Sequence, residues 1–208
     1  MKRVGIFLRD YKSISNNDLL AIRKDLFAYL SHYNIEIICI PISYETNEYD
    51  AFDRVEKLIK ECDGIILPGG EKDYEIDLKI AKYLYNHDIP TLGICLGMQI
   101  MALAFNGDLG HLETNAHQSA KEYVHEIKIK ENSRLFQILK EHTIMVNSRH
   151  SDYITTTDLP IVAIANDLTI EAVEDEAKKF FIGVQWHPES LSKNIYSKRL
   201  FDFFINSL

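Results

Sequence analysis

The sequence is poor in cysteine, with only Cys39, Cys62 and Cys95 among its 208 residues. So few thiols argue against a disulfide framework and favour a reducing compartment. The chain also lacks the pattern of a secretory signal, and it has no continuous apolar run near the roughly 20 residues that a membrane helix needs. These absences predict a soluble, cytoplasmic protein with no membrane partner.

Positive charge is also scarce: 23 Lys and Arg residues face 31 Asp and Glu residues, which gives a formal net charge of −8. No run of Lys and Arg is interleaved with aromatic residues, so nucleic acid and anionic membrane are not expected partners. The chain contains no Gly/Ser/Pro-rich linker, low-complexity stretch or internal repeat. We therefore expect residues 1–208 to form a single domain with a full hydrophobic core.

What the first half does contain is a regular alternation of short apolar runs and amphipathic patterns. Because the apolar runs do not alternate with polar residues, they favour a parallel sheet covered by helices on both faces. Ligands of such sheets bind at the carboxyl ends of the strands. Strands are predicted at 4–8, 35–40, 64–67 and from residue 91, and helices at 17–33, 49–60 and 76–86.

The second half changes to alternating apolar and polar residues at 124–129, 161–165 and 170–173, which is typical of half-exposed or antiparallel strands. A last strand is predicted at 180–186 and a closing amphipathic helix at 194–208. The predicted fold class is therefore α/β, a mostly parallel wound sheet flanked by helices and extended by a small antiparallel part.

The segment TLGICLGMQIM carries the strongest functional signal, because it places Cys95 between Gly93 and Gly97 where a predicted strand turns into a helix. Small flanking residues allow the sharp bend that presents a nucleophile. The helix N-terminus favours thiolate over thiol, and its N–H groups can stabilise an oxyanion. Cys39 and Cys62 lack such flanks and are predicted to be core residues. We therefore predict that Cys95 is a catalytic nucleophile.

The segment GVQWHPE supplies what a cysteine nucleophile needs, a base that later protonates the leaving amine. His187 follows the last predicted strand, and histidine titrates near neutral pH. Glu189 stands two residues further on and can accept the other ring N–H, which fixes the tautomer. The two segments together predict a triad of Cys95, His187 and Glu189.

A third segment, Pro68-Gly69-Gly70, follows another predicted strand. Its glycines permit close approach of an acyl group, and its backbone N–H groups can point into the same cleft. On its own the segment is equally typical of an ordinary turn after a strand.

In their order, the PGG, GICLGMQ and GVQWHPE segments resemble the class I glutamine amidotransferases over most of the chain. The resemblance implies a flavodoxin-like fold and hydrolysis of a γ-glutamyl amide through a glutamyl thioester. It assigns Cys95 as the nucleophile, His187 as the general base and acid, and Glu189 as the group that orients His187. By the same resemblance the N–H groups of Gly70 and Leu96 form the oxyanion hole, while Gly69 and Gln99 contact the glutamyl part of the substrate.

Three further stretches, VNSRHSDYI, FNGDL and VQWHPE, resemble γ-glutamyl-γ-aminobutyrate hydrolases of peptidase family C26. That resemblance places Ser148 and His150 in the substrate pocket. It implies a free-standing γ-glutamyl-amine hydrolase that releases glutamate and an amine. This is the function that we expect from the sequence.

Two alternatives stay open at this point. The stretch between PGG and the cysteine is short for a C26 hydrolase, and GICLGMQ also occurs in glutaminase subunits, such as the one that serves imidazole glycerol phosphate synthase. The chain could therefore be a glutaminase subunit that delivers ammonia to a synthase. A non-catalytic binding protein on the same scaffold is the second alternative. A glyoxalase-like or protease-like relative is disfavoured, because Leu96 stands where such proteins have a histidine.

The remaining histidines show no metal-ligand spacing with cysteines or carboxylates, so we expect solvated or capping roles for them. They are His32, His87, His111, His117, His125 and His142. No phosphate-binding loop is recognisable, and we expect neither a metal nor another cofactor. The expected partners are a small γ-glutamyl substrate and either a second copy of the chain or, for the alternative function, a synthase subunit.

Overall fold

The computed structural model describes residues 1–42, 48–70, 75–113 and 115–208. Within these residues no helix is long and apolar enough to cross a membrane. The strands are β1 (Lys2–Phe7), β2 (Arg9–Lys12), β3 (Asp18–Ala21), β4 (Ile35–Ile40), β5 (Gly64–Leu67), β6 (Thr91–Ile94), β7 (Asp108–His111), β8 (His125–Ile129), β9 (Thr143–Val146), β10 (Asp152–Thr156), β11 (Ile161–Ala165), β12 (Ile170–Glu174) and β13 (Phe181–Val184). The α-helices are α1 (Lys24–Leu30), α2 (Glu48–Ile59), α3 (Glu75–Asn86), α4 (Leu96–Ala104), α5 (Arg134–Leu139) and α6 (Ile195–Ser207).

One nine-stranded sheet organises the described part of the chain, in the order β4-β1-β5-β6-β13-β12-β11-β8-β9. The strands from β4 to β13 are parallel to their neighbours. From β13 onward each neighbour is antiparallel. This arrangement confirms the predicted fold class, a mostly parallel sheet with an antiparallel extension.

Helices cover the parallel part of the sheet on both faces, as its wholly apolar strands predict. On one face Ile66 of β5 belongs to a core that includes residues of α1, α5 and α6. On the other face Ile65 and Leu67 belong to a core that includes residues of α2, α3 and α4. Because successive side chains of a strand point to opposite faces, one apolar run contributes to both cores.

The predicted helix at 17–33 is wrong in its first part. The structure has a hairpin of β2 and β3 there, and only the short helix α1 follows. The turn between the two strands explains the difference, because Ser13 accepts a hydrogen bond from the Asn17 N–H at 2.9 Å and Asn16 adopts a φ of 61°. Such local turn bonds compete with helix formation. The other predicted elements are confirmed within about two residues at each end.

Candidate active site

Three neighbouring parallel strands, β5, β6 and β13, bring the three predicted segments together. In the sheet, Leu67 of β5 pairs with Gly93 of β6, and Ile94 of β6 pairs with Val184 of β13. The carboxyl ends of these strands therefore lie at one edge of the sheet. The residues that follow the three strands include Gly69, Cys95 and His187, so these converge although they are far apart in sequence.

Cys95 occupies the sharp turn between β6 and α4, as predicted. Its backbone has φ 52° and ψ −106°, a conformation that non-glycine residues rarely adopt. The Cys95 N–H donates a hydrogen bond to the Val184 carbonyl at 2.8 Å, which ties the turn to β13. Residues held in sparsely populated backbone conformations cluster at functional sites. The local geometry is that of a nucleophile elbow.

Gly97 is required for close packing rather than for an unusual φ, because Cys95 itself adopts the positive φ of the elbow. A Cβ atom on Gly97 would lie 1.9 Å from the carbonyl oxygen of Leu67. The first turn of α4 therefore rests directly on the end of β5. This contact fixes the helix N-terminus, and Cys95 with it, beside the Pro68-Gly69-Gly70 turn.

We expect Gly97→Ala to destabilise the protein by about 3 kcal/mol, because two backbone segments must separate to admit the methyl group. Urea denaturation followed by circular dichroism measures the change. Gly70→Ala is a matched control, since its Cβ would meet only side-chain atoms of Leu96 and Arg9, at 2.9 Å or more. Equal stability of the two variants would contradict the packing role of Gly97.

His187 and Glu189 are buried together at the end of β13, with exposures of 4% and 3%. The Nδ1 atom of His187 lies 2.6 Å from Oε1 of Glu189, a short hydrogen bond. Burial acts to lower the pKa of His187, but Glu189 and the Cys95 thiol outweigh it and raise that pKa to about 10. The raised pKa favours the protonated ring, an imidazolium, at neutral pH.

We expect Glu189→Gln to lower the pKa of His187, because burial of the ring is then opposed only by Cys95. Any turnover that uses this ring should fall by roughly 10²-fold at pH 7, since the imidazolium is less populated and the ring orientation is no longer fixed. A ring-nitrogen NMR titration measures the shift. Glu176→Gln, at an exposed position, is the matched control. An unchanged His187 titration in Glu189→Gln would contradict this role of Glu189.

The same ion pair links stability to pH. Because the folded pKa of His187 is raised to about 10, above the unfolded value of about 6.5, the pair stabilises the fold fully only below the unfolded value. Its contribution falls as pH rises and is lost above the folded pKa.

The Gly69-Gly70 turn lies against the Cys95 and His187 side chains. A Cβ atom on Gly69 would lie 2.8 Å from Cε1 of His187 and 3.6 Å from Cβ of Cys95. A Cβ atom on Gly70 would lie 2.9 Å from Cδ2 of Leu96, so the two residues predicted to form the oxyanion hole are adjacent. Leu96 is the first residue of α4, and its N–H therefore has no intrahelical acceptor.

Gln99 is linked to the Cys95 thiol by hydrogen bonds through the side chain of Gln185. The Gln99 amide donates to Oε1 of Gln185 at 3.2 Å and to the Asp152 carbonyl at 2.8 Å. The Gln185 amide in turn donates to Sγ of Cys95 at 3.5 Å. Gln99 is 5% exposed, so the structure places its side chain in an internal polar chain that ends at the sulfur.

Ser148 and His150 are both buried, and their side chains bond within the protein. The Ser148 hydroxyl donates to the carbonyl of His117 at 2.7 Å. Nδ1 of His150 lies 3.1 Å from the Asp152 carbonyl, and its other nitrogen faces His117. The structure therefore places this predicted pair beside a buried group of histidines.

The expectation of a solvated or capping role is wrong for His117, which is 3% exposed, and His125 is half-buried beside it. No periodic pattern indicates the burial of His117, because it lies in a short 3₁₀ turn at Asn115–His117. The expectation fits the exposed histidines, which are His32, His87, His111 and His142.

Sequence reasoning missed two residues that hold the site. Asn147 accepts a hydrogen bond from the His187 N–H and donates one to the His187 carbonyl, each at 2.8 Å. This pair of bonds fixes the backbone that carries the ring. Gln185 is the other, through its bond to the thiol. Both residues stand inside the VNSRH and GVQWHPE segments, but the sequence alone does not indicate which way their side chains point.

Solved structures agree with the fold. A Thermoplasma acidophilum protein described as a GMP synthase subunit superimposes with a TM-score of 0.72 at 18% identity, over 100% of this chain and 94% of that chain. The glutaminase domain of Trypanosoma brucei CTP synthase also gives a TM-score of 0.72, at 16% identity, over 99% and 94%.

Relatives are also recognisable by sequence. A glutamine-hydrolysing GMP synthase subunit of Methanothrix thermoacetophila is 33% identical over 146 residues, which cover 69% of this chain and 76% of that protein. CTP synthase of Levilactobacillus brevis is 30% identical over 190 residues, 74% of this chain but only 36% of that protein. This chain thus spans somewhat over a third of the length of the CTP synthases that it matches. The class I glutamine amidotransferase model matches residues 17–207, and the chain therefore belongs to that family.

Proposed function

We propose that this chain is a thiol-dependent glutaminase that supplies ammonia to a synthase partner. The observation that carries the proposal is the buried contact of His187 with Glu189 beside Cys95, at the elbow of a parallel sheet. A buried imidazolium next to a thiol at a helix N-terminus is suited to acyl transfer. Membership of the amidotransferase family gives the acyl group, a γ-glutamyl amide.

Each step of glutamine hydrolysis can be assigned to these side chains. The Cys95 thiolate attacks the γ-carbonyl carbon, so a C–S bond forms and charge moves to the oxygen. The intermediate collapses, the C–N bond breaks, and the His187 imidazolium protonates the departing nitrogen, which leaves as ammonia. Neutral His187 then takes a proton from water as that water attacks the thioester. The C–S bond breaks, glutamate leaves, and the thiolate-imidazolium pair is restored.

The charge that develops on the oxygen needs donors that are already in place. We assign the backbone N–H groups of Leu96, at the start of α4, and of Gly70 as these donors, since the two residues lie side by side. Gly69 keeps the space beside the His187 ring open for the acyl group. The Gln185 amide donates to the sulfur and so helps to hold it in place.

The names of the relatives support a synthase partner. The matched Methanothrix protein is called a subunit of GMP synthase, and this chain covers 76% of its length. CTP synthase of Levilactobacillus brevis is also named as a synthase, and the match covers 36% of that protein. Both names therefore favour a glutaminase that works with a synthase, whether on a partner or on the same polypeptide.

The second candidate is the free-standing γ-glutamyl-amine hydrolase that the VNSRH segment suggests. Its substrate contacts were expected from Ser148 and His150. Both side chains instead bond to backbone carbonyls, those of His117 and Asp152, which weakens that candidate. The non-catalytic candidate is weaker still, because it gives no reason for the short His187 to Glu189 bond.

Glutamate release by the purified full chain tests the proposal, with glutamine and a series of γ-glutamyl amines as substrates. We expect kcat/KM for glutamine to exceed that for any N-substituted γ-glutamyl amide by roughly tenfold or more, because a site that serves to release ammonia has no need to bind a larger amine. A preference of the same size for a bulky γ-glutamyl amine would overturn the glutaminase assignment in favour of the free-standing hydrolase.

A further inference from the structure

A buried group of four side chains lies apart from Cys95 and has no role in the proposed reaction. We call it the histidine cluster, and it consists of His117, His125, His150 and Glu171. Glu171 lies on β12, His125 begins β8, and the other two histidines lie in the turns at 115–117 and 147–151. The cluster therefore joins two strands and two turns of the antiparallel extension.

The spacing of its nitrogen and oxygen atoms is that of metal ligands. Oε1 of Glu171 lies 3.0 Å from Nε2 of His125, 3.6 Å from Nδ1 of His117 and 3.7 Å from Nε2 of His150. The facing nitrogens of His117 and His150 are 3.2 Å apart. Metal–nitrogen bonds of about 2.0–2.1 Å in a tetrahedral site place neighbouring ligand atoms about 3.3 Å apart. The four measured separations lie on both sides of that value.

The hydrogen bonds around the cluster direct lone pairs toward its centre. Nε2 of His117 lies 2.8 Å from Oδ2 of Asp167, so the ring donates its proton there. Nδ1 of His150 donates to the carbonyl of Asp152 at 3.1 Å. A carboxylate or carbonyl behind a histidine ring is the usual arrangement behind a metal ligand. The inner nitrogens, Nδ1 of His117 and Nε2 of His150, therefore face each other and the carboxylate of Glu171.

The carboxylate of Glu171 faces the same three histidine rings. Its exposure is 0%, and neither oxygen makes a hydrogen bond of normal geometry among the described residues. Neither ring nitrogen of His125 makes a hydrogen bond of normal geometry with the described residues. Buried polar atoms without partners are rare, and a bound ion is one of the recognised reasons for them. The cluster therefore combines unpartnered buried ligands with supported rings.

We propose that the histidine cluster binds one divalent transition metal ion of the zinc class. Imidazole nitrogens with one carboxylate suit zinc, and donor atoms of His117, His125 and Glu171 all lie within 4.8 Å of one another. The ion would fasten the turns at 115–117 and 147–151 to β12. Asp152, whose carbonyl accepts from both His150 and Gln99, connects this part of the protein to the chain of amides that ends at Cys95.

Metal content of the full chain, purified without a polyhistidine tag, tests the proposal. After incubation with Zn²⁺ and removal of excess ion, we expect about one zinc per chain by elemental mass spectrometry. Co²⁺ in place of Zn²⁺ should give the intense visible bands of a tetrahedral site. Glu171→Gln should retain roughly tenfold less metal than the unaltered chain, and it should lose those bands. His142→Gln, which alters an exposed histidine, should behave as the unaltered chain.

A second variant guards against misfolding of Glu171→Gln. His125 has the most exposed side chain of the cluster, at 17%, so His125→Gln disturbs the core least. It should also lose bound metal, and Zn²⁺ should no longer raise its Tm. The proposal is overturned if the unaltered chain retains no zinc and its Tm does not respond to Zn²⁺ or to a chelator. The same holds if Co²⁺ gives only the weak bands of an octahedral complex.

Discussion

We expect Cys95→Ala to abolish glutamate release, with a fall of roughly 10⁴-fold or more, while the protein stays folded. The variant removes the only atom that can form the thioester, and no other cysteine can replace it. Cys39 is exposed on the edge strand β4, so the prediction of a core position is wrong for it. The thiol of Cys62 is half-buried and bonds to the carbonyl of Leu58. Burial raises the pKa of Cys62 to about 11, so that thiol is not charged at neutral pH.

Cys39→Ala is the matched control for this experiment. It removes an exposed thiol that would also react with an alkylating reagent, so it should leave glutamate release unchanged and simplify labelling of Cys95. Circular dichroism of both variants verifies that the fold is retained. Residual turnover by Cys95→Ala within about tenfold of the unaltered chain would show that another group attacks the substrate.

We expect His187→Asn to lower glutamate release by roughly 10³-fold or more, because one ring acts in both halves of the reaction. It protonates the departing nitrogen and later accepts a proton from water. The variant also leaves Glu189 buried without its partner, which costs about 1–3 kcal/mol of folding free energy. The rate and the urea denaturation midpoint must therefore be measured on the same preparation.

His32→Asn, at an exposed position, is the control for the loss of a histidine. Alkylation of Cys95 by iodoacetamide gives an independent reading, since the imidazolium of His187 favours the thiolate. We expect His187→Asn to slow alkylation at pH 7 as well as turnover. A variant that is folded, slowly alkylated and yet fully active would contradict the assignment of His187.

Much of the site was predictable because its residues stand directly after strands. Cys95 lies between glycines at a strand end, and His187 and Glu189 follow the next strand of the sheet in one short turn. Parallel strands bring such positions to one edge whatever their separation in sequence. The wholly apolar strands likewise predicted a sheet covered on both faces.

Other features could not be predicted, because they depend on contacts between segments. The hairpin that replaces the start of the predicted helix at 17–33 arises from a turn around Ser13, and the helical spacing of leucines there does not reveal it. The histidine cluster gathers residues from two turns and two strands of the antiparallel extension, with no shared periodicity. Asn147 acts through its amide on the backbone of His187, a contact that only the folded chain creates.

A glutamyl thioester on Cys95 is the intermediate on which the proposed reaction depends, so its detection is the decisive experiment. An activated γ-glutamyl ester suits this measurement, because its leaving group departs without protonation. Hydrolysis of the thioester then becomes the slow step, and the intermediate accumulates. The ester is mixed with the full chain, quenched in acid and digested, and peptide mass spectrometry locates the adduct. We predict a glutamyl group on Cys95 that disappears as glutamate is released. Turnover of the ester with Cys95 unmodified, or with the adduct on another residue, would contradict the proposed mechanism.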